Sequence, residues 1–119
     1  MNVKISVLIL GALVVVAAFV AWRYAGGGGN YDDFAKCLTE KGAIMYGSKY
    51  CVHCNNQKKE FGKSFQYINY VECTEQTSVC EQEGITAVPV WSVNGTKYTG
   101  EQSFERLSQL SGCPLSQQT

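Results

Sequence analysis

Apolar and polar positions alternate in several rhythms along this 119-residue chain, and each rhythm predicts an element. Ile5 to Trp22, ISVLILGALVVVAAFVAW, is an unbroken run of 18 uncharged residues bracketed by Lys4 and Arg23. That nearly matches the roughly 20 residues a helix needs to cross hydrocarbon. GGGGN, Gly26 to Asn30, follows as a short flexible tether. In YDDFAKCLTEKG, Phe34, Cys37 and Leu38 fall on one helix face, with Asp32 or Asp33 as N-cap and Gly42 as the stop. AIMYGS, Ala43 to Ser48, is a brief apolar run suited to a buried strand.

The rhythm changes again at CVHCNNQKKEFG, which is rich in helix formers and has no proline, so that Cys51 stands at or near a helix N-terminus. YINYVEC reads as a second strand, and CTEQTSVC with EQEG as a loop or short helix. VPVWSVNGTKYTG gives two strands around Asn94-Gly95, the strongest short-range hairpin signal. SFERLSQLSG closes the chain with Phe104, Leu107 and Leu110 on one helix face and Gly112 after it.

If the strands before and after the Cys51 helix share a sheet, a right-handed crossover makes them parallel, and the hairpin adds an antiparallel pair. The expected fold is therefore α/β: a four-stranded mixed sheet with flanking helices, a thioredoxin-like arrangement lacking an initial strand, preceded by an N-terminal transmembrane helix. The expected organisation is residues 1–23 as anchor, 24–30 as Gly-rich linker and 31–119 as the folded domain. A signal peptide is the alternative for the first segment. The apolar run is longer than the about 7–15 residues of a signal peptide, and it closes with the interfacial residue Trp22, which favours an uncleaved anchor.

Charge adds an exclusion. From Tyr31 onward there are 8 Lys/Arg against 10 Asp/Glu, with no basic stripe or aromatic ladder, so nucleic acid is not an expected partner. Six cysteines in so small a domain suit an oxidising compartment. Lys4 and Arg23 are nearly symmetric and do not set the orientation, so cysteine usage places the domain on the extracytoplasmic side of a single-pass anchor.

The chemistry centres on Cys51 and Cys54, three residues apart, with His53, the single histidine, between them. At a helix start the first sulfur meets unpaired backbone N–H groups and the positive end of the helix dipole, which favour a thiolate. Cys51 is thus the expected nucleophile and Cys54, one turn further in, the resolving thiol. His53 close to the Cys51 sulfur would favour the thiolate further and make the disulfide more oxidising. The rival reading is a zinc or copper clip, completed in principle by Cys73 and Cys80. Covalent haem wants a histidine directly after the second cysteine, where this chain has Asn55. No cofactor and no metal are expected.

The stretches FAKCLTEKGAIMYGSKYCVHCNNQKKEFG, INYVEC and GITAVPVWSVNGTKYTGEQSFERLSQLSGCPL together resemble the thioredoxin-like domain fused to bacterial and plant vitamin K epoxide reductase homologues, and its membrane-anchored stand-alone relatives. The likeness runs from Phe34 to Leu115, and its CxHC form is also similar to that of DsbA oxidases. The resemblance implies a disulfide carrier serving thiol-bearing secreted or periplasmic clients, reoxidised by a vitamin K epoxide reductase-like, quinone-linked membrane protein. A reductase or isomerase is the alternative direction. It implies that Cys51 and Cys54 are the redox pair and that Pro89 is a cis-proline packed against them, leaving the backbone at Val88 for a client strand.

It also implies a bridge between Cys73 and Cys80. Cys37 and Cys113 are then left, and joining them would close a loop of more than 70 residues, with a loop-entropy stabilisation of roughly 4 kcal/mol. Tyr50, Val52 and Val88 stand where relatives often carry tryptophan, proline and an aromatic. Met45 stands where many thioredoxins bury an acid, which bears on the potential and the proton route.

Overall fold

The computed structural model describes residues 3–25 and 30–115. Most of the Gly-rich linker, residues 26–29, lies outside them. Helix α1 spans Val3–Ala25. It is long and apolar enough to cross a membrane, and its apolar side chains, Leu8 and Val14 among them, are exposed.

The folded part begins with α2, Asp32–Glu40. Here the expected aspartate cap gives way to Tyr31, which makes no side-chain cap bond. Asp32 is drawn elsewhere: its Oδ1 accepts the buried Ser64 hydroxyl at 2.8 Å, while Ser64 Oγ accepts the Tyr31 N–H at 2.9 Å. That pair of bonds ties the start of α2 to the 3-10 helix Gly62–Tyr67. The remaining elements are β1 (Ile44–Gly47), α3 (Val52–Phe61), β2 (Tyr70–Glu72), α4 (Thr77–Gln82), β3 (Val90–Val93), β4 (Thr96–Thr99) and α5 (Phe104–Ser111). β2 is shorter than its sequence pattern, because the 3-10 helix takes Tyr67 and the chain spends Ile68 and Asn69 passing from that helix into the strand.

The four strands form one sheet in the order β2-β1-β3-β4. β1 runs parallel to β2 and antiparallel to β3, and β3 and β4 form the hairpin. Asn94 and Gly95 both have positive φ, 52° and 79°, the backbone that a two-residue hairpin turn demands. With helices packed against it, this is the thioredoxin-like fold without an initial strand.

Strand alternation divides the core in two. Met45 and Trp91, partners in the β1–β3 register, join Phe34 and Leu38 of α2, Phe61 of α3 and Leu107 of α5 in the larger cluster. Tyr46 and Val90, the next pair along, pack with Cys80 of α4 in the smaller one. Phe61 is the hub of the larger cluster, its ring centroid 4.6 Å from Phe104, 6.1 Å from Trp91 and 6.3 Å from Phe34. Two disulfides staple these layers. Cys37 of α2 is bonded to Cys113 after α5, and Cys73, just past β2, to Cys80 of α4.

The largest polar side chain in this interior is that of Gln57. Gln57, fully buried on α3, accepts the Trp91 indole N–H at 3.0 Å and the Gln102 backbone N–H at 2.7 Å through Oε1. Its Nε2 donates to the Gln102 carbonyl at 3.0 Å. Replacing Gln57 by leucine fills the space but leaves these partners unmet. The expected result is a loss of about 2–4 kcal/mol of stability, read from urea unfolding followed by Trp91 fluorescence. An unchanged midpoint would show that the bonds contribute nothing net.

Candidate active site

The strand-to-helix turn after β1 carries the two cysteines. The Cys51 N–H donates to the Ser48 carbonyl at 3.1 Å, and the Tyr50 N–H to Ser48 Oγ at 3.1 Å, so one serine folds the turn. Asn55 Nδ2 returns to the Lys49 carbonyl at 3.1 Å. Cys51 then occupies the N-cap of α3, where its Sγ accepts the Cys54 N–H at 3.2 Å. The sulfur takes the place a cap oxygen usually holds, facing the unpaired N–H groups of the first helical turn.

Both are free thiols in this structure, Cys51 half-buried and Cys54 fully buried. Burial first, then the hydrogen bond with Cys51, push the Cys54 thiol up to about 12; a backbone hydrogen bond from Ser48 and the Lys58 charge oppose this. The two sulfurs are therefore unlike: the outer one can be reached, and the inner one strongly prefers its proton.

Pro89 is buried and follows a cis peptide bond from Val88. The Val88 carbonyl lies against the site, accepting the Cys51 thiol at 3.6 Å. His53 is placed differently from the sequence expectation. Its Nδ1 lies 2.7 Å from Glu101 Oε2, and the side chain is 71% exposed. His53 thus pairs with Glu101, in the segment before α5. Cys73 and Cys80 are bonded to one another and so are not available as thiolate ligands to complete a metal site with the pair.

Behind Cys54 lies a group of side chains to which the sequence reading gave no role. Gly47 ends β1, and a Cβ there would stand 2.9 Å from Tyr70 Cε2, 3.1 Å from the Tyr70 hydroxyl and 3.2 Å from Cys54 Sγ. Glycine lets ring and sulfur share that space. The Tyr70 hydroxyl donates to Glu72 Oε2 at 2.5 Å, and Lys58 Nζ sits 4.1 Å from the centre of the Tyr70 ring. Burial would raise the Glu72 carboxyl, but hydrogen bonds from Thr74, Tyr70 and the Lys49 N–H, together with the Lys58 charge, outweigh it and hold the group at about 2. Burial, then the bond to Glu72, raises the Tyr70 phenol, so it stays protonated. The signal for these residues was their spacing. Lys58 is four residues after Cys54 on one helix face, and Tyr70 and Glu72 are two apart on the strand beside β1.

No protein-family model matches the chain. Among characterised proteins it is 35% identical over 92 residues to thiol-disulfide oxidoreductase LTO1 of Arabidopsis thaliana, covering 70% of this chain and 24% of that protein. It is 28% identical over 126 residues to protein disulfide isomerase-like 2-2 of Oryza sativa subsp. japonica, covering 85% of this chain and 34% of that one. The chain thus spans about a quarter to a third of the length of these relatives. Among solved structures it aligns with Fasciola hepatica thioredoxin at 16% identity and a TM-score of 0.44, over 68% of this chain and 91% of that one. It also aligns with oxidised Plasmodium falciparum thioredoxin at 21% identity and a TM-score of 0.41, over 66% and 86%.

Proposed function

We propose that this chain is a membrane-tethered, extracytoplasmic thiol-disulfide oxidoreductase, acting as an oxidase that gives the Cys51–Cys54 disulfide to client thiols. The observation that carries the reading is the asymmetry of the pair: a reachable Cys51 sulfur at a helix N-cap, with a buried Cys54 one turn behind it. The similarity to a plant thiol-disulfide oxidoreductase over 70% of this chain supports the same chemistry. Exposed, apolar α1 supports the tether, and two further disulfides in so small a domain support an oxidising compartment.

In this reading a client thiolate attacks Cys51 Sγ of the oxidised pair. A client–Cys51 S–S bond forms, the Cys51–Cys54 bond breaks, and its electron pair leaves on Cys54. A second client thiolate attacks the client's own sulfur in the mixed disulfide and expels Cys51 as thiolate. Two electrons have then passed to the carrier, and a vitamin K epoxide reductase-like membrane protein removes them to a quinone. His53, paired with Glu101, borders this face of α3 and tunes the pair from a distance, while the Val88 backbone, beside Cys51, meets the client chain.

The redox equilibrium of the full chain in detergent against glutathione tests the direction. A potential near that of the strongly oxidising carriers, about −120 mV, is expected; one near thioredoxin, about −270 mV, would reverse the assignment to a reductase.

A further inference from the structure

We propose that Lys58, held against the Tyr70 ring and steadied by Glu72, is the counter-ion of the buried Cys54 sulfur and speeds its departure when the disulfide opens. The inference rests on the exchange chemistry proposed above and assigns one step of it to a side chain. When a thiolate attacks Cys51, the incoming negative charge reappears on Cys54 as the S–S bond breaks. Charge balances without a proton in that step. The anion, however, forms at a fully buried atom, where an unpaired charge is costly.

Three features bring a cation to that atom. Lys58 is one helical turn beyond Cys54, on the same face of α3. Its ammonium lies over the Tyr70 ring, 4.1 Å from the centre and 5.8 Å from that of Phe65. The edge of the Tyr70 ring and the Cys54 sulfur in turn meet at the space left by Gly47. The ring thus fixes a half-buried, flexible side chain over a face whose edge meets the space of the sulfur, and the Tyr70 hydroxyl fixes the ring by donating to Glu72.

Cys54 is faced by Lys58 and Cys51 from α3 and its cap, by the Ser48 backbone and by Tyr70 from β2, with Glu72 behind the Tyr70 hydroxyl, and the field at its sulfur is set by these groups. Glu72 offsets part of the Lys58 charge, and Lys49, whose backbone N–H also meets Glu72, directs its own ammonium to Glu75 at 3.5 Å. Removing the cation and removing the carboxylate should therefore move the reaction in opposite directions. A merely structural role for either residue would not do that.

The experiment measures the rate at which glutathione reduces the oxidised full chain in detergent, together with the reverse rate. Lys58→Met is expected to slow both directions about five- to tenfold at neutral pH, because a less stabilised leaving thiolate departs more slowly. Lys58→Arg is expected to recover most of the loss, and Glu72→Gln to quicken both directions. The equilibrium with glutathione should move less than about twofold, since reduced Cys54 carries its proton at neutral pH in every variant. Unchanged rates in Lys58→Met would overturn the proposal, as would Lys58→Met and Glu72→Gln shifting the rate the same way. If the wild-type chain exchanges no disulfide with glutathione, the oxidoreductase reading itself falls, and this one with it.

Discussion

Cys51→Ser is expected to abolish disulfide exchange with client thiols, a loss of more than about 1,000-fold, because no other free sulfur in the described part of the chain can be reached. Cys54→Ser should behave differently. It keeps the reachable Cys51 thiol but removes the group that displaces a bound client, so when the variant is given a disulfide-bonded peptide, Cys51 attacks one peptide sulfur, the other leaves as thiolate, and the mixed disulfide at Cys51 accumulates. Mass spectrometry of the adducts separates the cases: adduct on Cys54→Ser, none on Cys51→Ser. Adduct through Cys54 in the Cys51→Ser variant would reverse the assignment of nucleophile and resolving thiol. The expectation follows from burial, since Cys54 has no exposed surface while Cys51 is half-buried at the cap.

Stability should respond most to the long staple. Cys37 and Cys113 are 76 residues apart in sequence, and Cys73 and Cys80 are 7 apart. Loop entropy alone gives roughly 4.5 kcal/mol for the first bridge and about 2.5 kcal/mol for the second. Cys37→Ala with Cys113→Ala is therefore expected to lower stability by about 2–5 kcal/mol and the melting temperature by 10 °C or more, while the short-loop double variant loses less. Calorimetry under non-reducing conditions checks the order. A larger loss from the short loop would mean that local packing around β2 and α4 outweighs chain entropy.

How far the fold could be read from sequence depended on how local each signal was. The Asn94-Gly95 turn, the Gly112 stop and the unbroken apolar run before the linker are contained within a few residues or within one element, and the structure follows them. The start of α2 departs from its pattern because Ser64, 32 residues beyond Asp32, claims the carboxylate that local rules assign to the cap. His53 was read with its sequence neighbour Cys51, whereas its contact is Glu101, 48 residues away. The group behind Cys54 needs the parallel register that sets Met45 beside Tyr70 and Gly47 beside Glu72. Spacing within one strand or one helix says nothing of that register. The motif fragments around Gly47, Lys58 and Glu72 were visible as a resemblance, but their common address was not.

That address has an evolutionary consequence. Gly47, Cys51, Cys54, Lys58, Tyr70 and Glu72 all lie in one continuous β1–α3–β2 stretch, whereas the Val88 carbonyl reaches Cys51 from a separate loop. In the proposed mechanism, the ease with which the inner sulfur leaves and the choice of backbone it serves are therefore written in different parts of the chain. Selection can alter one while the other stays fixed, and a chimera that exchanges only residues 85–93 with another carrier should inherit new clients and keep its old speed.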